Sequence, residues 1–378
     1  MEEVFRFIKK ILLFLPLAVI FGFPLLLLNS LGEMLSVPQI LQKQANPNTP
    51  VLIGRAFEND GPDYKLQAVM KFRPEIITLG DSRCNTIRSD FFTKDARFFN
   101  ACSSIQVMDD FNKFLDLIPP GHEPKFIIMC LDERYFNSAL DFDRSDFTQI
   151  KGNTLPYKVR MIWRDYKDKK FTFKQLLNYY FSPSRNNFIG LSAIITHNGV
   201  RNDGSTYYGQ EVENLNDPEY VDRFKGLYSS ILNGNGFYKF CDDLDPKIVS
   251  SLIEFLTKCR SRNIYVVGYM PPYIHSEMEL LKYMGGKEAY LFKARFLVPV
   301  IFNKFGFDFF DFSDLSQLGA SDEEMIDSQH VGEKASLRLF ITMALQNKKL
   351  LSYSNDSKFL IEKLFASRNP LAVFKENF

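Results

Sequence analysis

Two short stretches, far apart in the chain, hold the groups that acyl transfer requires. Gly80-Asp81-Ser82-Arg83 lies early and Asp327-Ser328-Gln329-His330 lies late. A serine hydroxyl attacks a carbonyl only when a base removes its proton, and that base needs an acid to hold its tautomer. Ser82, His330 and Asp327 supply those three parts. The early stretch alone is weak evidence, because Gly, Asp and Ser are ordinary turn and helix-cap residues. The late one adds weight: the chain has only four histidines, and this one follows Asp327 by three just before the helix-opening Val331-Gly332-Glu333-Lys334-Ala335.

Such residues need a rigid frame. Glu75–Leu79, Arg97–Ala101, Lys125–Leu131 and Asn263–Tyr269 are short, nearly continuous apolar runs, and Phe307–Asp311 is a weaker fifth. Runs of that kind suit strands covered on both faces. Met108–Leu117 and Pro246–Ser261 have helical spacing, the latter through Ile248, Leu252, Phe255, Leu256 and Cys259. Alternating strands and helices predict an α/β fold, a central parallel sheet with helices on both faces. Ser82 then stands at a strand-to-helix turn. Gly80 allows the tight exit, and the following N–H groups point toward any oxyanion formed there.

Composition excludes some functions. Lys+Arg total 46 against Asp+Glu 45, and without a long basic run there is no nucleic-acid footprint. Four scattered histidines and five cysteines without C-x-x-C spacing offer no metal set, and no cofactor is called for. The 38 phenylalanines read mainly as core filling.

Ile11–Leu28 carries no charge, and at 1.5 Å per residue its 18 residues span roughly 27 Å, close to the hydrocarbon thickness of a bilayer. No small-x-small cleavage site follows, which favours an uncleaved anchor over a signal peptide. Arg6, Lys9 and Lys10 precede the run and only Lys43 follows closely, so the bulk of the chain should lie outside the cytoplasm. The expected order is a cytoplasmic N-terminus (1–10), an anchor (11–29), a stalk (30–70), a catalytic domain (71–348) and a helical tail (349–378). A polar, aromatic insertion over about 135–245 should lie across the carboxyl edge of the sheet.

Gly80-Asp81-Ser82 after the first strand, with Asp327-x-x-His330 before the last helix and the run Phe307–Asp314, resembles the GDSL/SGNH hydrolase superfamily. The resemblance covers about 70–345 without the insertion. It implies a three-layer sandwich of flavodoxin-like type and a triad of Ser82, His330 and Asp327. It also implies an oxyanion hole from the Ser82 N–H, a glycine after the second strand and an asparagine after the third. Cys102 stands where the glycine is expected. The third block reads Leu131-Asp132-Glu133-Arg134, without asparagine, and leaves Asn100 or Arg134 as substitutes.

More narrowly, the chain is similar to single-span SGNH proteins of the cell envelope. That implies acetyl transfer to, or removal from, a polysaccharide beside a membrane-bound O-acyltransferase. The alternative is a scaffold that only binds glycan or recruits that partner.

Other residues keep two readings. Arg83 either holds an anionic substrate group or pairs with Asp132 or Glu133. His197–Ser205, followed by Tyr207 and Tyr208, reads as a loop: either Asn198 and Arg201 serve a sugar there, or it is merely solvated. Cys84, Cys102 and Cys130 can all sit near one end of the sheet, disulfide-bonded or as buried thiols.

Overall fold

A computed structural model describes residues 2–46, 49–57, 63–140, 155–180, 187–216, 223–376 and 378, without the side chains of residues 2, 8, 13, 17–21, 23, 24, 157 and 180. Nine strands are described: β1 (Leu52–Gly54), β2 (Ile76–Leu79), β3 (Phe98–Asn100), β4 (Phe126–Cys130), β5 (Phe188–Ile189), β6 (Asn198–Val200), β7 (Thr206–Tyr208), β8 (Tyr265–Met270) and β9 (Asp308–Asp311). The main sheet has the order β3-β2-β4-β8-β9 and every pairing is parallel.

Its two faces are covered because its strands are apolar on both. In β4, Ile127 and Met129 join a core with Phe111, Phe255 and Phe302 from the helices Met108–Asp116, Pro246–Ser261 and Ala289–Lys304. Phe126, Ile128 and Cys130 face the other way, toward Leu337, Phe340 and Leu360 of the helices Glu333–Gln346 and Ser357–Ala366. The result is three layers. Counted within this sheet the order is 2-1-3-4-5, and the direction of winding reverses between β2 and β4. Ligand crevices in doubly wound sheets open at the carboxyl ends beside such a switch point.

Residues 30–70 correct the expectation of a free stalk. The helices Val37–Gln44 and Asp63–Phe72 and strand β1 place Ile40, Leu41, Ile53, Tyr64 and Val69 in the main core. Strand β1 joins β5, β6 and β7 of the insertion in a second sheet ordered β5-β1-β6-β7. Stalk and insertion are thus one packed unit, since each alone would leave an edge of unpaired backbone groups. Of the insertion, residues 141–154, 181–186 and 217–222 lie outside the described ones. The C-terminal tail is helical only in part: after Ala366 an irregular segment returns over the body and buries Leu371.

The run expected to cross a membrane falls within the helix Glu2–Ser30, where the side chains of residues 13, 17–21, 23 and 24 lie outside the described ones. Among the described residues no helix is long and apolar enough to cross a membrane.

Cys84 and Cys102 form a disulfide with a Cα–Cα distance of 5.7 Å, while Cys130 is a buried free thiol. The bridge ties the turn after β2 to the loop after β3 across a separation of 18 residues, which by loop-closure entropy stabilises by about 3 kcal/mol. A Cys84→Ser/Cys102→Ser variant should lose about that much in urea unfolding. Unchanged stability would show that the bridge constrains nothing the fold does not already hold.

Candidate active site

The register of β2 with β4 pairs Leu79 with Met129, so Ser82 and Asp132 each stand three residues beyond a paired position, side by side over the switch point. Gly80 is needed there for space: a Cβ on it would meet Cys130 Cβ at 2.7 Å and the Cys130 carbonyl at 2.8 Å. The tight exit expected of Gly80 is thus a matter of space and not of a left-handed backbone, since Gly80 is not among the positive-φ glycines. Asp81 caps the turn Ser82–Cys84, its Oδ1 accepting from the Arg83 N–H at 3.0 Å.

The late stretch folds as a narrow loop. The Ile326 N–H donates to the His330 carbonyl at 2.8 Å, and the Gly332 N–H to the Glu324 carbonyl at 2.7 Å. Inside it, Asp327 Oδ1 accepts from the N–H groups of Gln329 (2.7 Å) and His330 (2.8 Å), the local bonding that Asp favours in turns. Thr86 fastens this loop to the nucleophile's segment, its hydroxyl 3.1 Å from the Val331 carbonyl and 2.6 Å from Ser336 Oγ.

The three predicted side chains meet. Ser82 Oγ lies 2.8 Å from His330 Nε2, and His330 Nδ1 lies 2.8 Å from Asp327 Oδ2. With Nδ1–H donating to the carboxylate, Nε2 is left to accept the serine proton. Burial would raise the Asp327 carboxyl, but the charge and hydrogen bond of His330 and two backbone N–H groups outweigh it and hold it at about 2. Asp327 is therefore ionised at neutral pH. Asp327→Asn should lower kcat for an ester substrate by about 10³–10⁴-fold across neutral pH, because it favours the wrong tautomer. A loss of only a few-fold in an initial-rate assay would remove Asp327 from the machinery.

Beside the triad lies a buried charge cluster. Asp132 receives Arg83 Nη1 at 3.1 Å and Arg134 Nε at 2.8 Å, and it caps its own turn by accepting the Arg134 N–H at 2.8 Å. Burial alone would raise Asp132; Arg134 and Arg83 outweigh it and hold it well below the carboxylate range. Asp81, only 3.5 Å from Arg134 Nη2, is instead pushed up to about 7 by burial and by the charge of Asp132. Glu133 reaches Arg83 only at 3.7 Å, and burial pushes it up to about 8.

Several expected roles are corrected. Arg83 is fully buried, donates to Asp132 and to the carbonyls of Pro271 and Pro272, and stacks on Tyr273. It is a structural ion pair and does not face a substrate. The Cys102 N–H donates to Asn100 Oδ1 at 2.9 Å, and Asn100 Nδ2 donates to the carbonyls of Cys84 and Ile87. Neither residue has a donor left for an oxyanion in this arrangement. Arg201 is committed to Glu376 and to the Thr206 carbonyl. The stretch 197–205 is a strand and turn, and Tyr207 and Tyr208 are buried, which removes the open aromatic faces expected there.

Asn198 is buried in β6, its Nδ2 3.4 Å from Glu211. Arg134 alone of the four expected binding residues links both halves of the triad. Nη2 reaches Asp81 beside the nucleophile, and Nη1 donates to Gln329 beside the base.

Of the charge cluster, the pairing of Arg83 with Asp132 or Glu133 was one of two readings from sequence; the part of Arg134 in it and the clamp were not expected. Gln329 Nε2 donates to the Tyr238 hydroxyl at 2.8 Å, which donates to Glu277 at 2.6 Å. Tyr208 lies against the His330 ring, with centroids 6.1 Å apart. The insertion therefore walls the site through Tyr208 and Tyr238. Compared with protein-family models and with curated proteins, the chain matches none.

Proposed function

We propose that the chain is a membrane-anchored serine acyl-transfer enzyme of SGNH type, acting on ester-linked acyl groups, acetyl foremost, of an extracytoplasmic polysaccharide. The observation that carries this reading is the continuous contact from Ser82 Oγ through His330 to Asp327, at 2.8 Å on each side of the imidazole. Ser82 attacks the ester carbonyl while His330 Nε2 takes its proton. The tetrahedral adduct then collapses, and His330 returns the proton to the departing alkoxide. The acyl-Ser82 is next attacked by water or by a glycan hydroxyl, with His330 again acting as base. Asp327 keeps the imidazole oriented and stabilises its cationic form. The Ser82 N–H, at the switch point, has no backbone acceptor among the described residues and can serve the oxyanion.

The uncharged run Ile11–Leu28 within a long helix, with Ile11, Leu12, Phe14 and Leu15 exposed, supports a single-pass anchor in the cytoplasmic membrane. The Cys84–Cys102 disulfide supports an oxidising compartment for the body of the protein. A membrane-bound O-acyltransferase is the partner this reading expects.

Acetate release from acetylated xylan or chitin oligomers by the full-length chain tests the proposal, with and without an acceptor sugar. Acetate appearing in proportion to Ser82-intact protein supports it, and acetyl mass gained by the acceptor marks a transferase. A second reading, a glycan-binding or assembly partner without catalysis, is favoured by one observation: the Cys102 N–H and Asn100 are spent on structure. It predicts no acetate release and unchanged behaviour of Ser82→Ala in the cell.

A further inference from the structure

We infer that the helices Leu155–Lys167 and Phe173–Tyr180 form a docking surface for an anionic phospholipid membrane, seated around the emerging end of the N-terminal helix. The inference rests on the anchor proposed above. The first helix is two-sided. Lys158 and Met161 are buried, and the Lys158 ammonium donates to the Glu33 carbonyl just past the N-terminal helix. The opposite side carries Val159, Trp163 and Tyr166 at i, i+4 and i+7, exposed by 46%, 57% and 43%. An outward apolar stripe at helical spacing has no role in water.

Charge says what covers it. Arg160, Arg164 and Lys167 each follow a stripe residue by one position and are exposed. Lys169, Lys170 and Lys174 continue the basic edge beside exposed Phe173, and the opposing acids are Asp165, which pairs with Arg164 at 3.6 Å, and exposed Asp168. Apolar and aromatic side chains flanked by Lys and Arg are the pattern of helices that lie in the headgroup region of anionic bilayers.

Position agrees. Leu27 and Leu31, at the end of the N-terminal helix, pack with Phe171, Leu176, Leu191, Ile194 and Ile195. Leu176 of the second helix and Phe171 of the turn before it belong to this cluster, and Ile162 of the first helix packs against it, so the pair lies beside the chain where its apolar run ends, at the level of the bilayer surface. The active-site domain is then held against the membrane at a fixed height, within reach of a membrane-borne acyl donor.

Trp163 is the only tryptophan in the chain, so its fluorescence reports this surface alone. Full-length protein is reconstituted in phosphatidylcholine–phosphatidylglycerol vesicles, and Trp163 quenching is measured with lipids brominated high on the acyl chain and with aqueous acrylamide. The expected result is a blue-shifted emission, quenched by the bromolipid and shielded from acrylamide. The exposed triple variant Arg160→Glu/Arg164→Glu/Lys167→Glu should lose that bromolipid quenching. Resistance to carbonate extraction, measured on the same vesicles, reports the anchor separately. A chain that resists extraction while Trp163 stays open to acrylamide and unquenched by lipid overturns the docking surface and leaves the anchor standing. Extraction by carbonate overturns the anchor, and the docking surface with it. Trp163 unquenched by lipid but shielded in native membranes assigns the stripe to a protein partner and overturns the inference.

Discussion

Replacing Ser82 with Ala is expected to lower kcat for ester cleavage by about 10⁴-fold or more, with KM changed far less. The effect is large because, among the described residues, Ser82 Oγ is the hydroxyl that meets His330 Nε2, while Ser103 Oγ is bonded to Asn85 and Ser336 Oγ to Thr86. His330→Ala should cost about the same, and the double variant little more than either alone, because the two act as one unit. Additive losses in a double-mutant cycle would mean that the 2.8 Å contact is not used in the reaction. Binding of an acetylated oligomer should survive in both single variants and in the double variant.

The second large effect is on stability. Asp132→Ala should destabilise the fold by about 3–5 kcal/mol in urea unfolding, because it leaves the buried guanidinium groups of Arg83 and Arg134 without their shared carboxylate. Glu133 cannot take over, being 3.7 Å from Arg83 and easily protonated. Asp132→Asn keeps the shape but not the charge and should recover only a small part. The pH dependence has a definite sign. The folded-state pKa of Asp132 is depressed, so its contribution is fully present above the unfolded value of about 3.9 and drains as pH falls below it. Wild type should therefore lose stability with acid more steeply than Asp132→Asn. Parallel acid profiles for the two proteins would show that the cluster is not the source.

Much of the frame was legible because its strands are covered on both faces. Ile76–Leu79, Phe126–Cys130 and Tyr265–Met270 are nearly continuous apolar runs, which no solvent-facing element would tolerate. Asp308–Asp311 gave the weakest signal for the converse reason: it is an edge strand and none of its residues is fully buried. Strands β1, β5, β6 and β7 were invisible, since two or three residues carry no period and only their mutual pairing makes them strands. The segment before β1 looked like linker because Gln42–Pro50 is polar and broken by prolines, although Ile40 and Leu41 beside it are core residues.

The triad was readable because each part has a residue type and a spacing that chemistry demands. Its surroundings were not. Asn100 looked like an oxyanion donor, yet its amide is consumed by the carbonyls of Cys84 and Ile87, bonds that exist only once the turn has closed. The Arg134–Gln329–Tyr238 clamp joins residues 195 and 91 positions apart, a separation that no local pattern records. Arg83 could be weighed between substrate and ion pair but not decided, because the choice depends on burial beside Pro271, Pro272 and Tyr273.

The most direct measurement is peptide mapping of the full-length protein after reaction with a fluorophosphonate probe, which bonds only to a serine whose proton a neighbouring base can remove. Stoichiometric phosphonylation of the peptide carrying Ser82 is expected in wild type and none in His330→Ala. An unlabelled Ser82 in folded wild-type protein, or equal labelling in both, would contradict it.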